Sequence, residues 1–231
     1  MIENNISVAG KRPLEKITGL IILIIAFLAV SAILTDLDVS PEYMSIREDM
    51  TYLGENFFRL TVNTYLWFLN AILIILLGPI LFIVFPPSRN AALYAGTFMI
   101  CSTGIIYLFY AINGFNLLQY TRDFQKETGE ATDFLAYFSL NSIIIRQKLH
   151  LSAFTTSGIS TFLIGIHVIK SRHLPVFIGW FVLFGGLIYA IFGWFSMQNL
   201  IFSTGRLVFI LSLILFGSFL LLSGIKTRTP A

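Results

Sequence analysis

The chain has 231 residues, 56% of them hydrophobic and only 12% charged, with a formal charge of +3. Soluble domains carry about 25% charged residues, so this composition cannot cover a water-soluble globule, and a mean hydropathy of +0.83 agrees. The small, segregated charge gives no nucleic-acid signal, and the single cysteine, Cys101, can form no internal disulfide.

About 20 apolar residues cross the ~30 Å hydrocarbon core of a bilayer. Six stretches qualify: 17–35, 60–85, 91–115, 149–169, 176–197 and 207–225. In lipid each must be a helix, which alone satisfies its own backbone within one segment. No alternation suited to a membrane β-barrel is present. The expected fold is therefore an all-α membrane protein, a six-transmembrane-helix bundle. An N-terminal segment 1–16 and a tail 226–231 flank the transmembrane domain 17–225. Lys11, Arg12 and Lys16 precede the first run, and Val30-Ser31-Ala32 resembles a signal-peptidase site. That run is long enough to span, so it is read as an uncleaved first helix.

Orientation follows from the basic residues. With the N-terminus inside, the cytoplasmic pieces hold Lys11, Arg12, Lys16, Arg89, Lys170, Arg172, Lys226 and Arg228. These pieces are together half as long as the outer ones, which hold the remaining seven basic residues. Both termini are thus expected in the cytoplasm of a cell-membrane protein.

The two longer outer-face segments are expected to contain short helices. Ser40-Pro41-Glu42 reads as a helix start, with Ser as N-cap, Pro at the first position and an acid in the first turn. Glu55 and Arg59 then stand four apart and can pair, while Gly54 interrupts before span two. Segment 116–148 has a polar middle followed by an amphipathic stretch, suited to an interfacial helix or an extension of span four. Tight inner turns at 86–90 and 170–175 make hairpins of spans two and three and of spans four and five. Both turns pass through Ser-Arg beside proline, a hint of a duplicated unit.

Arg59-Leu60 at the mouth of span two is followed by 76–85 ending in a proline-polar turn. Ala91-Ala92-Leu93 opens span three, and Gly165-Ile166-His167-Val168-Ile169-Lys170-Ser171-Arg172-His173-Leu174-Pro175 runs into Gly179. In this order the chain resembles, over roughly residues 14–225, the bacterial and archaeal membrane family DUF4386. Span three lacks the charged residues associated with that family's third helix. The resemblance implies the architecture and, the family having no established activity, no mechanism.

Ionisable groups deep in a membrane are functional suspects, and within the spans His167 stands out, three residues from Lys170; an interfacial place near the headgroups explains it. No Asp or Glu lies mid-span, which argues against a proton pump. His150 and His167 share span four roughly 25 Å apart at about 1.5 Å per residue, so they cannot sandwich a haem iron, and no zinc set is present. Ser160 and His167 lie roughly 10 Å apart along the same helix, too far for a nucleophile and its base. No catalytic residues, metal site or cofactor are therefore assigned.

Two candidate sites remain. In span four Ser152, Thr156 and Ser160 recur every four residues. They read either as a small-residue face packing against the glycines of span five, Gly179, Gly185, Gly186 and Gly193, or, with Asn63, Asn70 and Asn113, as the polar wall of a ligand cavity. At the outer end Glu55, Arg59, Arg146, Lys148 and His150 can converge as a headgroup-binding rim, or stand as a solvated surface. Pro79 after Gly78 should kink span two. Trp67, Trp180 and Trp194, with Tyr65, Tyr107, Tyr110 and Tyr189, read as interfacial anchors or packing residues. The expected function is a non-enzymatic accessory, regulatory or lipid- or apolar-ligand-binding membrane module. Its partners would be the lipid bilayer and a membrane protein or a second copy of the chain. The alternatives are a transporter of a small neutral or apolar solute and an enzyme with an unrecognised outer-face site.

Overall fold

The computed structural model describes residues 3–37, 46–85, 91–171, 174–192 and 200–223. Among these there are seven helices and no strand: α1 (Glu3–Leu34), α2 (Ile46–Glu55), α3 (Phe57–Val84), α4 (Ala91–Phe124), α5 (Glu130–Ser171), α6 (Val176–Phe192) and α7 (Leu200–Ser223). Five contain stretches long and apolar enough to cross a membrane, in α1, α3, α4, α5 and α7. The sixth apolar helix, α6, has 17 residues, the short end of the crossing range. Phe27, Phe58, Phe98 and Phe181 are all more than half exposed, a surface that suits lipid and not water.

Segment 116–148 follows the second of its two expectations, an extension of span four, and not a separate interfacial helix. It is absorbed by α4, which runs on to Phe124, and by α5, which starts at Glu130. Gly129 between them takes φ 74°, the left-handed conformation that glycine adopts without a Cβ penalty. Glu130 and Asp133 then place negative charge in the first turn of α5, where the helix dipole favours it. At about 1.5 Å per residue, α5 is roughly twice as long as a bilayer core is thick.

The expected helix start at Ser40 lies outside the described residues. The break before span two falls at Asn56 rather than Gly54. Asn56 Nδ2 donates to the Tyr52 carbonyl at 2.9 Å, a side-chain bond that competes with regular helix. Backbone bonds from Asn56 N–H to Tyr52 and from Leu60 N–H to Asn56 still run across that break, but the expected Glu55–Arg59 pair is not among the ion pairs of the described residues. Arg59 instead donates to the carbonyls of Leu34, Thr35 and Asp36 at 3.3, 3.2 and 2.7 Å. It thereby caps the C-terminus of α1, whose carbonyls lack helical donors and carry the negative end of the dipole.

The helices form two compact units: one of residues 1–27, 73–104 and 154–231, the other of residues 28–72 and 105–153. In the first, glycines set how closely helices approach. Gly158 and Gly165 of α5 meet Ala190 and Leu183 of α6, and Gly179 and Gly186 of α6 meet Ile169 and Phe162 of α5. All four pairs keep one antiparallel register. A Cβ on Gly165 would stand 2.5 Å from the Leu183 backbone nitrogen, so only glycine admits this packing. Gly185 faces Ser212 of α7 instead, and Tyr189 stacks on Phe209 with ring centroids 4.0 Å apart. Gly193 lies outside the described residues.

Helix α3 continues through Pro79. Proline has no N–H, so the Ile75 carbonyl four residues earlier loses its helical donor. The Cys101 thiol of α4 donates to that carbonyl at 3.6 Å, and Gly78 lets the sulfur approach. Cys101 is half-buried, with its thiol engaged at the proline.

The second unit has an apolar end and a polar-aromatic end. Helix α2 places Met50 and Leu53 against Leu60, Leu117, Leu118, Ala136 and Ile143. Arg47 of α2 is also ion-paired with Asp133 of α5.

Candidate ligand site around a buried arginine

Helix α3 contributes Asn63, Trp67 and Asn70 to the second unit, spaced four and three residues apart and so on one helical face. Helix α4 contributes Tyr107 and Tyr110, and α5 contributes Arg146 and His150, again one turn apart. All seven side chains are buried, Arg146 to 8% exposure and Asn63, Trp67, Asn70 and His150 to 2% each.

The aromatic rings interlock. The Trp67 indole stacks on Tyr107 with centroids 4.8 Å apart, and stands edge-on to Tyr110 at 5.6 Å and to His150 at 5.3 Å. The His150 ring lies 5.0 Å from Tyr110. The Arg146 guanidinium carbon sits 4.3 Å above the Tyr110 ring, a desolvated cation–π contact of roughly 2 kcal/mol. Arg146 Nη2 donates to Asn63 Oδ1 at 3.2 Å. Asn63 Nδ2 in turn donates to the Ala32 carbonyl at 2.8 Å, which orients its oxygen toward the arginine.

Arg146 carries a guanidinium cation, and burying such a charge is costly unless it is paired. Among the described residues it pairs with no acid, and its Nε–H has no acceptor. Trp67 Nε1–H likewise has no acceptor, and Asn70 Oδ1 no donor, among the described residues. An unmet buried donor costs about 1–3 kcal/mol, more where it is charged. The cluster thus combines a cation, two unmet N–H donors and aromatic walls.

The residues expected from the sequence are distributed unevenly. Asn63, from the expected cavity wall, meets Arg146 from the expected rim, and His150, also from that rim, packs on Trp67 and Tyr110. Asn70 is buried on the same face of α3, whereas Asn113 bonds the Phe109 carbonyl of its own helix at 3.0 Å. Glu55, Arg59 and Lys148 are exposed, and Arg59 is committed to α1. Of the span-four stripe, Ser152 is exposed, Ser160 is buried and bonds the Ser157 carbonyl, and Thr156 bonds Thr103 of α4 at 3.0 Å. The close-packing face of α5 is therefore that of Gly158 and Gly165, rotated from the serine–threonine stripe. His167 is buried to 1% exposure, edge-on to Phe85 at 5.4 Å. Among the described residues no three His, Cys, Asp or Glu side chains group as metal ligands.

Sequence reasoning took Trp67, Tyr107 and Tyr110 for anchors or packing and missed them as site residues. Their signal was the helical spacing from Asn63 to Trp67 and from Tyr107 to Tyr110. By contrast Tyr65 and Trp180 are 54% and 47% exposed, as anchors would be.

The apolar helices and this buried cluster define a membrane-embedded, all-helical protein with a polar-aromatic interior in one unit. The chain belongs to the family described as a domain of unknown function, DUF4386, whose profile matches residues 17–224. No curated protein and no solved structure matches it.

Proposed function

We propose that this protein is a non-enzymatic module of the cell membrane that binds a lipid or another apolar ligand, with the site built by Asn63, Trp67, Tyr110, Arg146 and His150. Arg146 carries the proposal. It is a buried cation with an unmet donor, set among aromatic rings, and a group of this kind in an apolar surrounding is a functional suspect by cost alone. Lipid is the partner such walls can recruit directly from the bilayer. An accessory or regulatory role, with a membrane protein or a second copy as partner, would act through that ligand. The basic-residue distribution supports a topology with both termini cytoplasmic, which would put the α4–α5 turn outside.

Native mass spectrometry of the protein extracted from its own membrane in mild detergent tests this reading. A stoichiometric lipid or small molecule is expected on the wild type and should be lost from the Arg146→Gln variant. A bare chain that moves a neutral solute across vesicles would replace binding with transport. A ligand retained in Arg146→Gln would place the site elsewhere.

A further inference from the structure

Resting on the ligand-binding reading above, we infer that the head group held at Arg146 is an oxyanion, a carboxylate or a phosphate ester carried on an apolar chain. Three features of the cluster converge on this chemistry. The first is charge. Arg146 is a cation, only 8% exposed, and pairs with no acid among the described residues. A ligand that neutralises it must bring the negative charge.

The second is hydrogen-bond polarity. Arg146 Nε–H and Trp67 Nε1–H both lack acceptors among the described residues, and the same Tyr110 ring contacts both side chains, at 4.3 and 5.6 Å. Two donors ask for a group rich in acceptors. A neutral alcohol brings one oxygen and no charge, whereas a carboxylate or phosphate brings several oxygens with the charge. Asn70 Oδ1, one turn along α3, adds an unmet acceptor suited to a hydroxyl on the same head group.

The third is geometry. Tyr110 covers one face of the guanidinium and Asn63 takes an N–H of Nη2, while the in-plane Nε–H has no acceptor among the described residues. In-plane edge contacts are how arginine grips carboxylate and phosphate. The surrounding Trp67, Tyr107 and His150 rings suit a hydrocarbon chain leading to such a head. They would not suit a freely hydrated ion.

The test uses the full chain in neutral-detergent micelles, stripped of endogenous lipid, titrated with oleate, dodecyl phosphate, oleyl alcohol and inorganic phosphate. Oleate and dodecyl phosphate are expected to bind one to one, with oleyl alcohol weaker by roughly ten- to hundredfold. Arg146→Gln should remove that preference. Trp67→Phe keeps a ring in place and the arginine intact, so it provides a second test where Arg146→Gln fails to fold. It should weaken oleate about three- to tenfold and leave oleyl alcohol unchanged. Equal binding of alcohol and oleate, unaffected by both substitutions, would overturn the oxyanion while leaving an apolar-ligand module standing. Inorganic phosphate bound as tightly as oleate, and lost in Arg146→Gln, would support the oxyanion, assign it to a soluble source and remove the apolar body of the earlier reading. Binding of none of the four would overturn both.

Discussion

Asp49 is 0% exposed, and neither of its carboxylate oxygens has a hydrogen-bond partner among the described residues. It sits on α2, outside the candidate spans, beside Met50 and Leu53 where that helix packs on an apolar cluster. Burial, and then the neighbouring Glu48, push its carboxyl up from 3.8 to about 6. The basic residue of α2, Arg47, is engaged by Asp133. Below pH ~4 the group is protonated in both folded and unfolded chains and costs nothing. Between about pH 4 and 6 the unfolded chain releases its proton first, so stability falls as pH rises. Above about 6 the penalty is complete, and it amounts to no more than ~3 kcal/mol. Asp49→Asn should remove this slope and raise the Tm in detergent at pH 7, with little effect at pH 4. A wild-type slope surviving in Asp49→Asn would assign the pH dependence to another group.

Among the helices, the decisive contacts are those where two backbones approach. Replacing Gly165 with Leu would drive a side chain into the Leu183 backbone, and overpacking of this kind costs about 1–3 kcal/mol or more. Ser152→Leu should be tolerated, because Ser152 is exposed. Unfolding of both variants in detergent checks the contrast; equal losses would return the packing face to the serine–threonine stripe. Hydropathy made the apolar stretches legible, since composition and length decide what can cross a bilayer. Which face of α5 meets α6 was not legible, because small residues occur on two of its faces and only the partner's register selects one. The extent of α4 was hidden, and that of α5 left open between two readings, for a different reason. Their ends leave the apolar pattern near residue 116 and regain it near 149, while the helix itself stops only around Gly129. Propensity for helix and preference for lipid are separate properties, and a hydropathy pattern reports the second.

The site depended on contacts distant in sequence. Asn63 and Arg146 lie 83 residues apart, and each had a sufficient local explanation, as a cavity wall and as a surface charge. Nothing in either helix alone says that the two must meet, or that Tyr110 must lie beneath the guanidinium. Orientation, by contrast, is a property of the whole chain, read from its charges, and it decides from which side of the bilayer the α4–α5 turn is reached. Cysteine labelling can read it, but Cys101 must first be replaced without leaving the Ile75 carbonyl unpaired at Pro79. Serine keeps a donor at that position, so Cys101→Ser is the background of choice. On it, Asp123→Cys near the α4–α5 turn should react with an impermeant maleimide added to intact cells. Lys170→Cys, exposed in the last turn of α5, should react only after the cells are opened. The reverse pattern would invert the topology and make the α4–α5 turn cytoplasmic. Labelling of both sites in intact cells would mean that the chain, for all the length of α5, does not cross the bilayer between Asp123 and Lys170.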